Sequence, residues 1–501
     1  MTMPHIAYDE LIAKYREYSV LGSVTGLLHW DMQTVMPPKG AELRGDQLAI
    51  ISGIMHDRLT HPRVGELLES LADGSGLSDE ESANVREIRR DYHKATRIPK
   101  DLVEELSRHQ TVCHEAWVKA RENNDFATYA PFLEKMVALC KRQAECLGYK
   151  ETPLDALIDQ FEPSATAAMF TELFNQVKAV SVPLVNKIVA SPVKARLDFL
   201  KRDYAPDLQK QFGELVMRQL GFDMEAGRLD ISVHPFCAGV YGDVRITTRY
   251  NKNAPQQALF GIIHETGHAL YEQGVNAAQR GTPLAEALSY GLHESQSRLW
   301  ENFVGRGLPF WTFFYPKLKE VFPKQLSDVK LDEFILAVNH VERSLVRVEA
   351  DEMTYDLHII LRFEIERDLF AGVLSVNDLP KVWNQKMESY LGLTPPNDGK
   401  EGVLQDVHWS GGSFGYFPSY SLGNMAAAQL WYTMRRDLPN MDQQMSSGNF
   451  SDILQWLREH VHVHGRRFGR DELMKKATGK PLSTADYTRY LREKYSALYK
   501  L

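Results

Sequence analysis

The sequence predicts a mainly α-helical protein that contains one small β-sheet. Three observations lead to this prediction. Apolar residues recur at helical spacing through most of the 501 residues, short clusters of Gly, Pro, Asp, Asn and Ser interrupt them, and a period of two appears only at 229–250. Because no internal repeat and no long linker divides the sequence, we expect one continuous domain over residues 1–501 with two lobes.

Composition and charge exclude several classes of protein. Hydrophobic residues at 44% and charged residues at 25% are ordinary values for a globular protein. The formal net charge of −8 provides no broad positive field, so we expect no nucleic-acid partner. The sequence has neither a secretory signal pattern nor a run of about 18 apolar residues. We therefore expect no membrane partner, and a cytoplasmic protein whose four cysteines are reduced, buried thiols.

The first helices follow from spacing and capping residues. Apolar residues at period 3.6 predict helices over 8–28 and 41–59, which residues 36–40 join into a hairpin. Ser78 and Glu81 form the pattern of a capping box, and this pattern predicts the start of a further helix.

Two segments near the C-terminal end are also assigned from their residue pattern. The Pro, Asn, Asp and Gly residues of 393–399 predict an exposed loop between helices. Residues 487–499 form an amphipathic pattern, which predicts a helix docked by its aromatic side chains.

Residues 229–250 interrupt the helical pattern. The stretches 230–233 and 244–250 alternate at period two and predict strands of a small sheet. Alternation in the second stretch predicts an apolar face and a cationic face. The apolar face consists of Val244, Ile246, Thr248 and Tyr250, and the cationic face of Arg245, Thr247 and Arg249. We expect this second strand to pair with the backbone of a bound peptide.

The strongest motif is His-Glu-x-x-His at 264–268, inside an apolar run that predicts a helix. Residues four apart on a helix share a face, with Cβ atoms roughly 5–6 Å apart, so His264 and His268 can bind one zinc ion. Glu265 is then turned toward a water at the metal, and Glu294 is available as a third ligand. The alternative is a core helix whose histidines bond to neighbouring carbonyl groups.

Five further blocks resemble those of the carboxypeptidase Taq family of zinc metallocarboxypeptidases, and they occur in the family's order. They are His234-Pro235-Phe236, Asp243-Val244-Arg245-Ile246-Thr247, His293-Glu294-Ser295, Val346-Arg347-Val348-Glu349-Ala350-Asp351 and Gly402-Val403-Leu404-Gln405-Asp406-Val407-His408-Trp409. Both ends of the sequence also resemble the family, so the resemblance covers essentially the whole chain.

The resemblance implies a saddle-shaped helical fold with a deep groove between two lobes, similar to angiotensin-converting enzyme and neurolysin, and usually a homodimer. It implies release of C-terminal amino acids from peptides with broad specificity, with the catalytic motifs between 234 and 420. It also supports Glu294 over His293 as the third zinc ligand, although cobalt or manganese can occupy the same ligands. Many related enzymes have an Asp where this chain has Arg298, so the resemblance leaves the hydrogen-bond partner of His264 unassigned.

The resemblance also suggests a mechanism. Glu265 takes a proton from the water at the metal and returns it to the leaving amine. The segment 408–420 is similar to a neurolysin loop, which implies that Tyr420 donates to the oxyanion and that His408 assists it. Tyr416 is the competing tyrosine, and aromatic packing under a glycine-rich turn is the alternative for both tyrosines.

A carboxypeptidase must also hold the terminal carboxylate, preferably with a guanidinium group. The family pattern assigns Arg347 to this task, whereas His234 and Arg245 help to close one end of the groove. The alternative for Arg347 is an ion pair with Asp351 on one helix face. Two other functions stay open, an oligopeptidase that makes internal cuts and a catalytically silent peptide-binding protein.

Three histidines near the C-terminal end are spaced by two residues, at His460, His462 and His464. Such a spacing brings side chains together only on a strand, whereas the residues just before them predict a helix. We therefore do not expect a second metal site here.

Overall fold

Helices make up most of the chain in the computed structural model, which describes residues 6–501. The α-helices are α1 (Ile6–Thr34), α2 (Ala41–Leu59), α3 (Pro62–Ser70), α4 (Asp79–Arg97), α5 (Lys100–Asn123), α6 (Phe126–Leu147), α7 (Pro153–Phe161), α8 (Ala167–Ala190), α9 (Pro206–Leu220), α10 (Pro255–Glu272), α11 (Tyr290–Arg298), α12 (Leu308–Val321), α13 (Pro323–Leu326), α14 (Leu331–Val338), α15 (Glu352–Phe370), α16 (Leu379–Leu391), α17 (Pro418–Asp437), α18 (Met441–Ser446), α19 (Ser451–His460), α20 (Arg470–Thr478) and α21 (Ala485–Tyr499). The π-helix Leu299–Val304 continues α11.

The predicted small sheet is present and has three strands. They are β1 (Gly227–Ile231), β2 (Cys237–Val240) and β3 (Asp243–Thr248), in the order β1-β3-β2. β1 runs parallel to β3 and β2 antiparallel to it. Because β3 is the central strand, its two edges are already paired, and the prediction that this strand pairs with a bound peptide is wrong. Only an outer strand such as β2 has a backbone edge available for that purpose.

One residue of β3 departs from the predicted division into two faces. Val244, Ile246 and Thr248 are fully buried, as expected for the apolar face. Thr247, assigned to the cationic face, is also fully buried because its hydroxyl bonds to Ser232 and to the backbone N–H of Phe236. The loop that contains Ser232 and Phe236 therefore buries a residue that the alternation assigned to the cationic face.

The N-terminal hairpin of α1 and α2 is confirmed, and it belongs to a small cluster of its own. Apolar residues of α1 to α4, such as Leu11, Tyr15 and Ile88, form a buried cluster separate from the large core of the protein. The buried guanidinium of Arg466 bonds to Glu87, Asp91 and Glu286 and so links α4 to the C-terminal part of the chain.

Local signals predicted two other helices correctly. The hydroxyl of Ser78 accepts from the N–H of Glu81, and the Glu81 carboxylate accepts from the N–H of Ser78, so the capping box of α4 is formed. In α21, Tyr487 and Tyr495 are among the aromatic residues buried against the core. The segment 393–399 lies between helices, but Pro395 and Gly399 within it are buried, so the prediction of a fully exposed loop is wrong there.

The three histidines near the C-terminal end do not share one site. His460 ends α19 and stacks on Trp456, whereas His462 is fully buried and bonds to Gln296. Over the described part of the chain, none of the helices is long and apolar enough to cross a membrane.

Candidate metal centre

Helices α10 and α11 bring the three predicted metal ligands together. The ligand atoms of His264, His268 and Glu294 all lie within 4.8 Å of one another. The Glu294 Oε2 atom is 3.6 Å from His264 Nε2 and 3.3 Å from His268 Nε2. Three electron-pair donors that face each other in a buried place favour a positive charge between them. Two imidazoles and one carboxylate are also a donor set of catalytic zinc sites, so the residues fit such an ion.

Two glycines allow the helices to approach closely enough for this arrangement. A Cβ atom at Gly267 would lie 2.6 Å from the carbonyl oxygen of Gln296 in α11. A Cβ atom at Gly423 in α17 would lie 2.7 Å from Cγ of Glu294. Real Cβ atoms do not approach so closely, so α11 is held between α10 and α17 only because these positions lack side chains.

Substitution of Gly267 by alanine is expected to weaken metal binding. The added methyl group meets the backbone of α11, which has to move away together with Glu294. We expect the metal dissociation constant to rise by about 10–100-fold, the range typical for disturbed support of a metal ligand, as measured by competition with a chelator. Gly261→Ala is the matched control on the same helix, because its nearest neighbouring atom is 3.7 Å away. Equal metal affinities of the two variants would contradict this role of Gly267.

Glu301 is the hydrogen-bond partner of His264 that the sequence analysis left unassigned. Its Oε2 atom is 3.0 Å from His264 Nδ1, so the ring is oriented with Nε2 toward the other ligands. Arg298 supplies a guanidinium that donates to Glu294 Oε1 at 2.7 Å. Glu301 lies seven residues, or about two helical turns, after Glu294, and this spacing was a signal that the sequence analysis did not use.

The neighbouring histidine is not a ligand. His293 Nε2 lies 2.9 Å from Glu272, and its ring stacks on that of His268 at 4.3 Å. This pair therefore forms part of the wall beside the metal site.

Burial and neighbouring charges set the protonation of the ligands. Burial, with the electrostatic influence of the neighbouring His293, lowers the pKa of His268 to about 3, so its ring is neutral as a ligand requires. Burial also opposes charge on His264, but Glu294 and Glu301 outweigh it and raise its pKa to about 8. Glu294 is buried too, yet Arg298 and the histidines hold its pKa well below the usual value. The carboxylate ligand is therefore ionised.

Glu265 differs from the other carboxylates of the site. It is buried, and no residue in the described part of the chain forms a hydrogen bond with its side chain. Burial raises the pKa of Glu265 to about 7, although His264 lowers it in part. A carboxyl group with a pKa near neutrality can both accept and return a proton.

The predicted tyrosines and histidine meet in one aromatic cluster. The ring of Tyr416 lies 5.2 Å from that of Tyr420 and 5.5 Å from that of His408. Burial raises the pKa of Tyr416 to about 12 and that of Tyr420 well above its usual value, so both hydroxyls keep their protons and can donate.

Glu366 holds the loop that carries this cluster, and the sequence analysis missed it. Its carboxylate accepts from Trp409 Nε1 at 2.7 Å and from the N–H of Gly415 at 2.9 Å. Burial raises the pKa of Glu366 to about 8. Glu366 lies on α15, 43 residues before Trp409, and no local pattern links the two.

Arg347 is buried and already has protein partners. It donates from Nε and Nη2 to Asp406 at 3.0 and 2.7 Å, and from Nη1 to the hydroxyl of Tyr355 at 3.0 Å. Asp351 instead caps α15, so the alternative of an Arg347–Asp351 pair is wrong. The guanidinium lies 5.5 Å from the ring centre of Tyr420, which places it beside the aromatic cluster.

Arg245 lies on β3 and His234 in the loop between β1 and β2, and neither is among the metal ligands. Arg245 donates to both carboxylate oxygens of Asp243 and lies over the ring of Trp30 at 4.3 Å. His234 is exposed, and its carbonyl oxygen accepts from the hydroxyl of Ser232. Among the residues described, none links either side chain directly to His264, His268 or Glu294 by a hydrogen bond or ion pair.

A His-Glu-x-x-His helix, a carboxylate ligand on a second helix and a buried glutamate beside them define a metallopeptidase site. The family model for the carboxypeptidase Taq (M32) metallopeptidases matches residues 10–495. The chain therefore belongs to the carboxypeptidase Taq (M32) family, and it is a metallocarboxypeptidase with a His-His-Glu metal site.

Relatives and solved structures agree with this assignment over nearly the full length. The chain is 42% identical to carboxypeptidase 1 of Bacillus subtilis (strain 168), over 99% of this chain and 98% of the relative. It is also 42% identical to thermostable carboxypeptidase 1 of Thermus thermophilus, over 99% of both chains.

The fold is likewise that of solved members of the family. The crystal structure of an M32 carboxypeptidase from Deinococcus radiodurans R1 is similar with a TM-score of 0.97 and 42% identity, and covers 99% of this chain and 100% of its own. Metallocarboxypeptidase 1 of Trypanosoma cruzi is similar with a TM-score of 0.94 and 37% identity, over 98% and 99% of the two chains. The predicted mainly helical fold with a small sheet is confirmed.

Proposed function

We propose that this protein is a zinc-dependent carboxypeptidase that releases C-terminal amino acids from peptides with broad specificity, and that Glu265 is its general base and acid. The observation that carries this proposal is the buried, unpaired carboxylate of Glu265 next to the ligand group His264, His268 and Glu294. The cytoplasm is the proposed location, and the four free cysteines of the chain support it because thiols persist in reducing compartments.

The proposed reaction uses groups that the fold already holds in place. Zinc, when bound, supplies a Lewis acid and lowers the pKa of a water molecule. Glu265 accepts the proton of the attacking water and donates it to the leaving amine. Tyr420 donates its hydroxyl proton in a hydrogen bond to the oxyanion. Tyr416 orients Tyr420 by ring contact, and His408 stacks in turn on Tyr416.

Arg347 is the proposed holder of the terminal carboxylate. A guanidinium has five N–H donors, and Asp406 and Tyr355 take three of those of Arg347, which leaves two for a carboxylate. Asp406 and Tyr355 also fix the plane of the group. Arg245, held by Asp243, is proposed to close one end of the groove together with His234.

A time course with two matched peptides tests the proposed function. One peptide has a free C-terminus and the other is its C-terminal amide, and each is incubated with the zinc-loaded protein and with a chelated control. Mass spectrometry is expected to show products that shorten from the C-terminus, only with the free peptide and only without chelator. Internal fragments that are insensitive to amidation would identify an oligopeptidase instead and would leave Arg347 without its proposed role.

We also propose that the protein is a homodimer, and the N-terminal hairpin supports this assembly. On α1, Val20, Val24 and Leu27 are spaced by four and three residues and are 59%, 38% and 41% exposed. On α2, Ile50 and Ile54 are 64% and 41% exposed. Each set lies on one helix face, and exposed apolar faces of this kind mark interaction surfaces. A second copy of the chain would cover this face.

Ile50→Lys is expected to dissociate the dimer, because it places a charge inside the proposed apolar contact. Size-exclusion chromatography with light scattering should then give a mass near that of one chain, 57.2 kDa, where the unchanged protein gives twice this mass. Val373→Lys is the matched control, since Val373 is 77% exposed outside the hairpin. A monomer for the unchanged protein, or a dimer for Ile50→Lys, would exclude this interface.

A further inference from the structure

Two adjoining cavities extend from the metal centre toward α4. The first has a volume of about 330 Å³ and is lined next to the metal site by Glu272 and His293. The second has a volume of about 560 Å³ and lies between the ends of α4, α6 and α7. Arg90, Lys94 and Gln160 line both cavities, so the two are direct neighbours. Their volumes are in the range of ligand sites, roughly 300–1,000 Å³.

The second cavity has an excess of positive charge in a protein whose net charge is −8. Four cationic side chains line it, against two carboxylates. The cationic residues are Arg90, Lys94, Arg97 and Lys150, and the carboxylates are Asp155 and Asp159.

Both carboxylates already have partners within the protein: backbone N–H groups for one, and two of the cations for the other. Asp155 is 4% exposed and accepts from three backbone N–H groups, those of Glu151, Thr152 and Ala167. Asp159 is shared between Arg90 at 2.9 Å and Lys94 at 3.2 Å.

Arg97 and Lys150 lack a carboxylate partner altogether. Arg97 donates to the carbonyl oxygen of Leu147 at 2.8 Å. Across residues 6–501, no carboxylate forms an ion pair with Arg97 or Lys150. An anion in this cavity can therefore form charge-assisted hydrogen bonds with these two groups.

The charges of the first cavity, by contrast, are paired within the protein. Glu272 pairs with His293, and Arg466 pairs with Asp91. Aromatic residues, Phe161 and Tyr290, supply much of the remaining wall. A preference for anions therefore begins only in the second cavity, at a distance from the metal.

The direction of a bound peptide follows from the proposed function, on which this inference rests. The terminal carboxylate lies at Arg347, and none of the described residues that contact Arg347 lines either cavity. Residues upstream of the cleaved bond must leave the metal on another side, where His293 and Glu272 line the first cavity and the second adjoins it. We propose that the second cavity binds acidic side chains of the peptide upstream of the cleaved bond, with Arg97 and Lys150 as the residues that determine this preference.

A series of paired peptides tests the proposal. The members of a pair are identical except for one upstream position, which is Glu in one and Gln in the other, and this position is moved one residue at a time. With the unchanged enzyme, we expect kcat/KM to be about five- to tenfold higher for the Glu peptide at one or two neighbouring positions. High salt should reduce this ratio, because the cations are partly exposed.

Substitutions of Arg97 and Lys150 test whether these residues cause the preference for Glu over Gln. The double variant Arg97→Gln, Lys150→Glu is expected to bring the Glu/Gln ratio to one or below. Lys150→Glu alone guards against a folding defect, because Lys150 is exposed and forms no ion pair in the described part of the chain. Lys119→Glu is the control for the net-charge change of Lys150→Glu, since Lys119 is exposed on α5 and does not line the cavity. A ratio of one at every position in the unchanged enzyme, or a ratio kept in the double variant, overturns the proposal.

A binding measurement separates this inference from the proposed function. Fluorescence anisotropy with labelled Glu and Gln peptides is done on the chelated protein, in which no hydrolysis occurs. Tighter binding of the Glu peptide that is lost in the double variant supports the cavity assignment even if no peptide is cleaved. Normal hydrolysis with equal affinities for both peptides leaves the proposed function intact and rejects the acidic subsite.

Discussion

Replacement of Glu265 by glutamine is expected to lower kcat by about 10²–10⁴-fold, the usual contribution of a general acid–base group. Glutamine has nearly the same shape but cannot accept the proton of the attacking water. Glu265 bonds to no other side chain in the part of the chain that the structure describes, so the change leaves the packing around it intact. Steady-state kinetics on a free-carboxyl peptide measure the effect.

Two further measurements test whether the loss of activity in Glu265→Gln comes from the missing proton acceptor. Metal content and affinity should be unchanged in Glu265→Gln, because the ligands His264, His268 and Glu294 are retained. Glu320→Gln, the same change at an exposed site on α12, should keep full activity. A Glu265→Gln enzyme with near-normal kcat would falsify the proposed mechanism, whatever its metal content.

The second large effect is expected for Tyr420→Phe. Loss of one oxyanion donor typically lowers kcat by about 10²–10³-fold, whereas KM should change little because the hydroxyl acts mainly in the transition state. The ring remains and keeps its contacts with Tyr355 and Tyr416 at 5.9 and 5.2 Å, so folding should not suffer. Parallel measurement of kcat and KM tests this expectation.

Tyr416→Phe is the matched variant for this prediction. It removes a hydroxyl from the neighbouring ring of the same cluster, and a smaller loss of kcat is expected. If Tyr416→Phe were the more damaging change, Tyr416 would be the oxyanion donor and Tyr420 its support. Equal small effects of both variants would point to the packing role that aromatic rings under a glycine-rich turn commonly have.

The parts of the fold that depend on local signals were predictable from the sequence. α10 begins at Pro255, as expected for a residue without a backbone N–H, and α4 begins at its capping box. Strand β2 was missed because Cys237–Val240 is short and does not alternate, so only its pairing with β3 defines it.

The candidate site likewise contains residues that local sequence signals predict and residues that only the structure identifies. His264 and His268 are one helical turn apart, so their common face follows from the sequence alone. The pairs Arg347–Asp406 and Trp409–Glu366 join residues 59 and 43 positions apart, and only the packing of distant helices brings them together. Sequence reasoning therefore found the ligands, whereas the groups that orient the surrounding residues required the structure.

The π-helix after α11 makes the position of Glu301 depend on the number of residues in this segment. In this segment the N–H of Gly305 bonds to the carbonyl of Trp300, five residues earlier, so one turn holds an additional residue. Deleting Leu299 or Trp300 would rotate Glu301 by about 100° around the helix, away from His264, while α11 itself stayed intact. This segment should therefore tolerate no single-residue insertion or deletion, since its register keeps Glu301 at the imidazole.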